Sequence, residues 1–327
     1  MALRSQLNDT LDYVDLRKKS FLNLNESLFA AATNCSIPLP TLTTSGIIRV
    51  AITFILFILS VTMNITFLVK QNKKKASRLK TLLNNLTAAN LVETLIIMPM
   101  DGTWIITVQW FGGEFLCKAQ NFLKLFSMYC PAFMVAVISL DRYLVITKPL
   151  KSITAGLHTG KYMIAAVWLS SLVLALPQLW LFRMIHYTEP CPFSQCATLG
   201  SFQGQWDQAF YNFFTFGFLF VFPLIIMLIC NFKIIIKMTN NLRPKFNQMD
   251  LNRSRNGIPK ARMKTMKMTI AFVSSFIICW TPYYLMGIWY WFDPDLDNKL
   301  PEPINHFLFV FGLLNPCLDP LIYGYFS

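Results

Sequence analysis

Seven long apolar segments constrain this 327-residue chain more than any other feature of its sequence. They run at roughly 46–69, 81–108, 115–138, 162–182, 207–236, 268–292 and 304–326. A bilayer core is crossed by about 20 residues of helix, and each segment reaches that length. The second, fifth and sixth carry polar residues, yet each keeps a body of Leu, Ile, Val, Phe and Met. With 54% hydrophobic and only 14% charged residues, the expected fold is an all-α membrane protein, a seven-transmembrane helix bundle. Residues 1–45 are expected as an extracellular tail and 46–327 as the transmembrane domain.

The formal charge of +13 would suit nucleic acid, but its placement argues otherwise. Of the 29 Lys and Arg, six lie in 70–80, four in 142–161 and ten in 233–267. Those are the first, third and fifth connections, on one side of the membrane. Acids gather on the other side, with Asp293, Asp295, Asp297 and Glu302 in one loop. Basic loops stay in the cytoplasm, so the N-terminus is expected outside, with the spans in contact with lipid. Charge here reports topology and suits an acidic cytoplasmic partner. Nucleic acid is excluded as a partner.

The polar tail contains no basic–apolar–small cleavage pattern, so no removable signal peptide is expected. Its sequons at Asn8, Asn25 and Asn34 are candidate glycan sites. Those at Asn64 and Asn85 fall in spans, and that at Asn252 in a cytoplasmic loop, so they are chance matches. Of eight cysteines, Cys130, Cys230, Cys279 and Cys317 lie within spans, where cysteine behaves as a small apolar residue. Cys117 opens the third span and Cys196 lies between the fourth and fifth, so a bridge would tie that loop across the bundle mouth. Cys35 and Cys191 are then left as a second pair, although sequence by itself does not set connectivity.

Enzyme signatures are absent. The sequence has no phosphate-binding glycine loop, no His-Glu-x-x-His and no nucleophile elbow. His158, His186 and His306 are far apart, with no second ligand at metal spacing. Neither catalysis, a metal nor a cofactor is expected.

Polar groups at membrane depth are the remaining signal, because such residues are functional candidates by default. Asn90 and Glu93 are three apart and share a helical face; Asp101 is eleven from Asn90, close to three full turns. Pro99 disturbs that register. Lys124 lies seven residues after Cys117, about 10 Å down the third span. An ammonium there needs an anion, and Glu93 on the neighbouring span is the expected partner. Asp141-Arg142-Tyr143 falls about 37 Å below Cys117, at the cytoplasmic boundary. Asp319 lies between two prolines in the last span, where an acid is expensive to bury and needs a partner.

Proline supplies a second pattern. Pro177, Pro223 and Pro282 interrupt spans, and Pro316 and Pro320 interrupt the seventh. Each removes a backbone hydrogen bond that nearby polar groups must replace. Trp280 precedes the Pro282 bend by two residues, where a bulky indole can switch between two packings.

Together these residues resemble the rhodopsin-like (class A) G-protein-coupled receptors. The matching features are Asn64 in the first span, Asp-Arg-Tyr ending the third and Trp168 in the fourth. Pro223, Cys-Trp-Thr-Pro at 279–282 and Pro-x-x-Tyr from Pro320 to Tyr323 complete the set. Most such receptors carry Asp in the second span and Asn before that Pro-x-x-Tyr. Here the two are exchanged, as Asn90 and Asp319. That exchange is similar to the gonadotropin-releasing hormone receptor family. So are LKLFSMYCPAFM, FRMIH, QAFYNFFTF, CWTPYY, GIWYWFDP and DPLIYGYFS. The likeness covers residues 45 to 327.

The resemblance implies a receptor for an amidated decapeptide hormone, acting through a Gq-type G protein, phospholipase C and calcium. It implies that Arg49, Asp101, Trp104, Lys124, Asn212, Tyr283 and Tyr290 line the peptide pocket. Arg49 would meet the amide end, and Asp101 with Lys124 the buried N-terminal end. Glu302 would face the peptide's eighth position, where some hormone forms carry arginine; it also suits the N-terminus of the seventh helix. Asn90, Glu93, Asp141, Arg142, Trp280, Pro282, Asp319, Pro320 and Tyr323 would form the activation switch. Three positions depart from the family pattern. Residue 105 is Ile where the family often has Asn. Glu302 is flanked by Pro301 and Pro303, and the third span reads Asp-Arg-Tyr where mammalian members tend to read Asp-Arg-Ser. Gly200 also stands where the family can have cysteine.

Rival readings are a receptor of the vasopressin/oxytocin type, and an ion-coupled transporter using Glu93, Lys124 and Asp319. The Asn90/Asp319 exchange argues against the first, and the lack of an internal repeat against the second. Were Ser327 the natural end, no Ser/Thr-rich tail would serve kinases, and slow arrestin-mediated desensitisation is expected.

Overall fold

The computed structural model describes residues 41–73, 75–187, 192–242, 260–292 and 301–326. Seven helical stretches in it are long and apolar enough to cross a membrane. The first is α1 (Thr44–Asn72), the second α2 (Arg78–Thr107) and the third α3 (Gly113–Thr147). The fourth combines α4 (Pro149–Ala175) with the short α5 (Gln178–Leu181), broken at Pro177. The fifth joins α6 (Gln205–Phe216) to α7 (Phe222–Leu242) through a π-helical turn at Gly217–Val221. The sixth is α8 (Lys260–Phe292), and the seventh is α9 (Glu302–Leu313) followed by α10 (Asn315–Phe326).

Local chemistry sets several of these boundaries. Thr43 caps α1 by accepting a bond from the Gly46 amide at 3.1 Å, and Ser77 caps α2 through the Lys80 amide at 3.2 Å. Val108 ends α2 in the left-handed region, φ 57°, which a β-branched residue adopts only under outside restraint. That restraint is visible: its carbonyl accepts from Gln195 Nε2 at 2.8 Å. Pro223 lies two residues past the π turn, whose extra residue relieves the clash its ring would cause with the preceding turn.

The third span is the axis of the bundle. Two-thirds of its apolar window is buried (67%), against 28% for the first span and 22% for the fourth and the fifth. Those outer helices turn Ile, Leu and Phe outward, as lipid-facing surfaces do. The main core gathers Leu82, Leu86, Tyr129, Met134, Ile138, Met227, Phe272, Trp280 and Tyr323 from five spans.

One feature lies outside the helical expectation. The connection after the fourth span forms an antiparallel hairpin, β1 (Arg183–Tyr187) with β2 (Phe193–Ala197), pairing Met184 with Cys196. Cys196 is disulfide-bonded to Cys117 at a Cα separation of 5.6 Å, so the hairpin is fastened across the bundle mouth as expected. Further bonds hold it: the Met184 amide to Glu114 at 2.6 Å, and the Trp110 amide to the Ser194 carbonyl at 2.9 Å. Cys35, Cys191 and the sequons at Asn8, Asn25 and Asn34 lie outside the described residues. Cys130, Cys230, Cys279 and Cys317 are free and buried.

Candidate functional site

Beneath the hairpin lies a cavity between the third, fourth, fifth and sixth spans. Lys124, Asn212 and Tyr283, all expected in the site, line it together with Asn121, Gln178, Tyr211 and Tyr284. The walls are apolar and aromatic with a few polar groups, the usual build of a ligand pocket. Gln178 Nε2 donates to the Tyr211 hydroxyl, crosslinking the fourth and fifth spans at the wall.

A charged cluster adjoins this cavity on the side of the first, second and seventh spans. The Arg49 guanidinium reaches both Asp101 oxygens, at 3.2 and 2.5 Å, and its other nitrogen lies 3.1 Å from His306 Nδ1. The two charged side chains are 9% and 10% exposed, so the pair is nearly dry and strongly coupled. Arg49 also lies over the Phe309 ring at 4.0 Å, and the Lys124 ammonium approaches the same ring at 5.5 Å. Phe309 in turn contacts Tyr283, with ring centroids 6.3 Å apart. One ring therefore joins the charged cluster to the cavity.

The expected Lys124–Glu93 pair does not form. Lys124 instead feels the charges of Asp101 and Arg49. Glu93 lies eight residues deeper than Asp101, about 12 Å along the helix. Its Oε2 has no hydrogen-bond partner, and the charged group near it is Asp319. Trp104 packs not on the cavity but around the disulfide, against Trp110 at 5.5 Å and near Phe182. The side chains of Tyr290 and Glu302 lie outside the described residues.

Sequence reasoning missed Gln178, Tyr211, Tyr284, His306 and Phe309. Gln178 follows the Pro177 break by one residue, a signal that was available. The others carry no mark that distinguishes them from ordinary span residues.

A second constellation runs down the bundle. Asn90 Nδ2 donates to Asp319 Oδ2 at 3.1 Å, and both residues are buried. One turn further along, the Tyr323 hydroxyl meets Thr87 Oγ1 at 3.0 Å and donates to Asn64 Oδ1 at 3.2 Å. Trp280 rests between Tyr284, 6.0 Å away, and the backbone at Gly312. At the cytoplasmic end Asp141 is shared by two cations. Arg142 bonds to it from the same helix, and Arg78 from the second span pairs with it at 2.5 Å. No group of three or more His, Cys, Asp or Glu among the described residues has metal-site spacing.

A fastened extracellular hairpin, an apolar cavity below it and a polar column to a buried Asp-Arg pair define a seven-helix membrane receptor. The family model "7 transmembrane receptor (rhodopsin family)" matches residues 60–323. Among curated relatives, the gonadotropin-releasing hormone receptor of Sus scrofa is 58% identical over 301 residues, covering 88% of this chain and 92% of its own. Those of Mus musculus and Homo sapiens are each 57% identical, covering 91% of this chain and 95% of their own. The chain belongs to the rhodopsin family and, within it, to the gonadotropin-releasing hormone receptors.

Proposed function

We propose that this protein is a plasma-membrane receptor for the decapeptide amide gonadotropin-releasing hormone, signalling through a Gq-type G protein, phospholipase C and calcium. The observation that carries this reading is its 56–58% identity, over about nine-tenths of the chain, to receptors named for that hormone.

The geometry is suited to the task. A peptide end enters the cavity past the hairpin and meets Lys124, Asn212 and Tyr283. Arg49 and Asp101 already hold each other, so a peptide amide reaching Arg49 competes with a carboxylate in place. Glu302 and Tyr290 complete the mouth in this reading, with Glu302 taking an arginine at the peptide's eighth position. Occupancy presses on Tyr283 and Tyr284, which pack on Trp280. The bend at Pro282 converts that pressure into outward movement of the cytoplasmic end of the sixth span. Arg142, held by Asp141, is then exposed to the G protein. The hormone need only bind the open arrangement more tightly than the closed one. Inner-leaflet lipid meets the basic loops.

Calcium release in cells expressing this chain tests the reading. Release at nanomolar hormone, lost when phospholipase C is blocked, is expected; no response at saturating hormone with receptor at the surface would sink it.

A further inference from the structure

At the cytoplasmic end of the bundle Arg142 contacts Asp141 on its own helix. A buried polar pair ties the fifth span to the sixth there. Thr269 Oγ1 lies 2.6 Å from Asn231 Oδ1, with Thr269 fully buried and Asn231 7% exposed. Asn231 is itself aimed by donating Nδ2 to the Met227 carbonyl at 2.8 Å, which leaves its oxygen facing the sixth span.

We propose that the Asn231–Thr269 hydrogen bond is a latch that sets the receptor's ligand-independent activity. Two features fit a latch better than a permanent rivet. First, the Thr269 hydroxyl has a second acceptor on its own helix, the Met266 carbonyl at 2.9 Å. When the helices part, the hydroxyl turns to that carbonyl and no buried donor is stranded, so release is easy. Second, the next turn toward the cytoplasm carries a packed apolar seam of Ile146, Ile234 and Met238 with Met263 and Met266. Unbranched methionine repacks readily, so this seam can slide once the hydrogen bond lets go. Asn231, Ile234 and Met238 share one face of α7, and Thr269, Met266 and Met263 share one face of α8. Latch and seam therefore open in the same movement.

This inference rests on the reading that the sixth span swings outward on activation. A net contribution of about one ordinary hydrogen bond makes the closed arrangement favoured about five-fold by the latch. Thr269→Val keeps the shape and removes the hydroxyl, stranding Asn231 Oδ1 in the closed state only. Basal nucleotide exchange on the G protein, per surface hormone-binding site, is expected to rise several-fold in Thr269→Val and in Asn231→Ala. Thr269→Ser, which keeps the hydroxyl, is expected to stay at the parent level. The double variant should rise no further than the higher single one, because both remove the same bond. Unchanged basal exchange in either single variant that reaches the surface, or additive effects in the double, overturns the latch. Spin labels at Lys237→Cys and Lys267→Cys, in receptor held in lipid nanodiscs, separate this failure from that of the underlying reading. Hormone that leaves their distance unchanged in the parent chain overturns the swing, and the latch with it. Hormone that widens the distance while Thr269→Val does not overturns the latch alone.

Discussion

Asn64 Nδ2 donates to the Pro316 carbonyl at 2.9 Å, across the boundary between the first and seventh spans. That carbonyl would ordinarily accept from the amide four residues on, but residue 320 is proline and has none. Ser60 Oγ approaches the same oxygen at 3.4 Å. The bend of the seventh span is thus completed by the first, in a medium where water cannot substitute. Asn64→Leu leaves the carbonyl only the longer Ser60 contact and is expected to destabilise the receptor by about 1–3 kcal/mol. Thermal inactivation of purified receptor in detergent, followed by antagonist binding, should show the loss.

Arg49 and Asp101 form a nearly dry pair, so removing one partner leaves a buried uncompensated charge. Asp101→Ala is expected to be destabilising by about 3–5 kcal/mol, which reads as low surface expression. Arg49→Ala with Asp101→Ala together should recover part of that expression without recovering hormone affinity. Surface labelling and radioligand binding on the same cells measure both.

Asn90 and Asp319 meet through a single bond in the interior, with Glu93 close by. Asp319→Asn is expected to lower hormone-driven coupling several-fold while leaving surface number within two-fold. Restoring the reverse pair, Asn90→Asp with Asp319→Asn, should return part of the coupling. Equal coupling of Asp319→Asn and parent at matched receptor number would remove this pair from the switch.

Gly200 adopts φ +70°, and a side chain there would collide with the Arg183 guanidinium. That guanidinium clasps the Leu199 carbonyl through Nε at 2.9 Å and Nη2 at 2.7 Å, pinning the end of the hairpin. Gly200→Ala combines backbone strain with loss of the clasp and is expected to loosen the hairpin, about 1 kcal/mol or more. Hormone dissociation should quicken several-fold. An unchanged off-rate would show that the clasp does not govern the pocket.

Span count and orientation were legible in the sequence, because each follows from a local or one-dimensional rule. Apolar length marks a span and basic loops mark the cytoplasm, whereas Cys117–Cys196 was one possible pairing among four extracellular cysteines until the fold brought the two together. The Asn90–Asp319 contact was anticipated only through the resemblance, from the exchange of acid and amide between the second and seventh spans. Which cation meets which anion was not. Lys124 and Glu93 look paired by depth along each helix, yet Lys124 turns to Phe309 and the Arg49–Asp101 cluster. Periodicity places a residue on a face and at a depth. Contact between faces depends on the rotation, tilt and bending of whole helices, and Pro99, Pro282 and Pro320 lie inside the helices concerned. The hairpin, the Asn64–Pro316 bond and the Asn231–Thr269 pair all arise at that level, where packing of the assembled bundle decides.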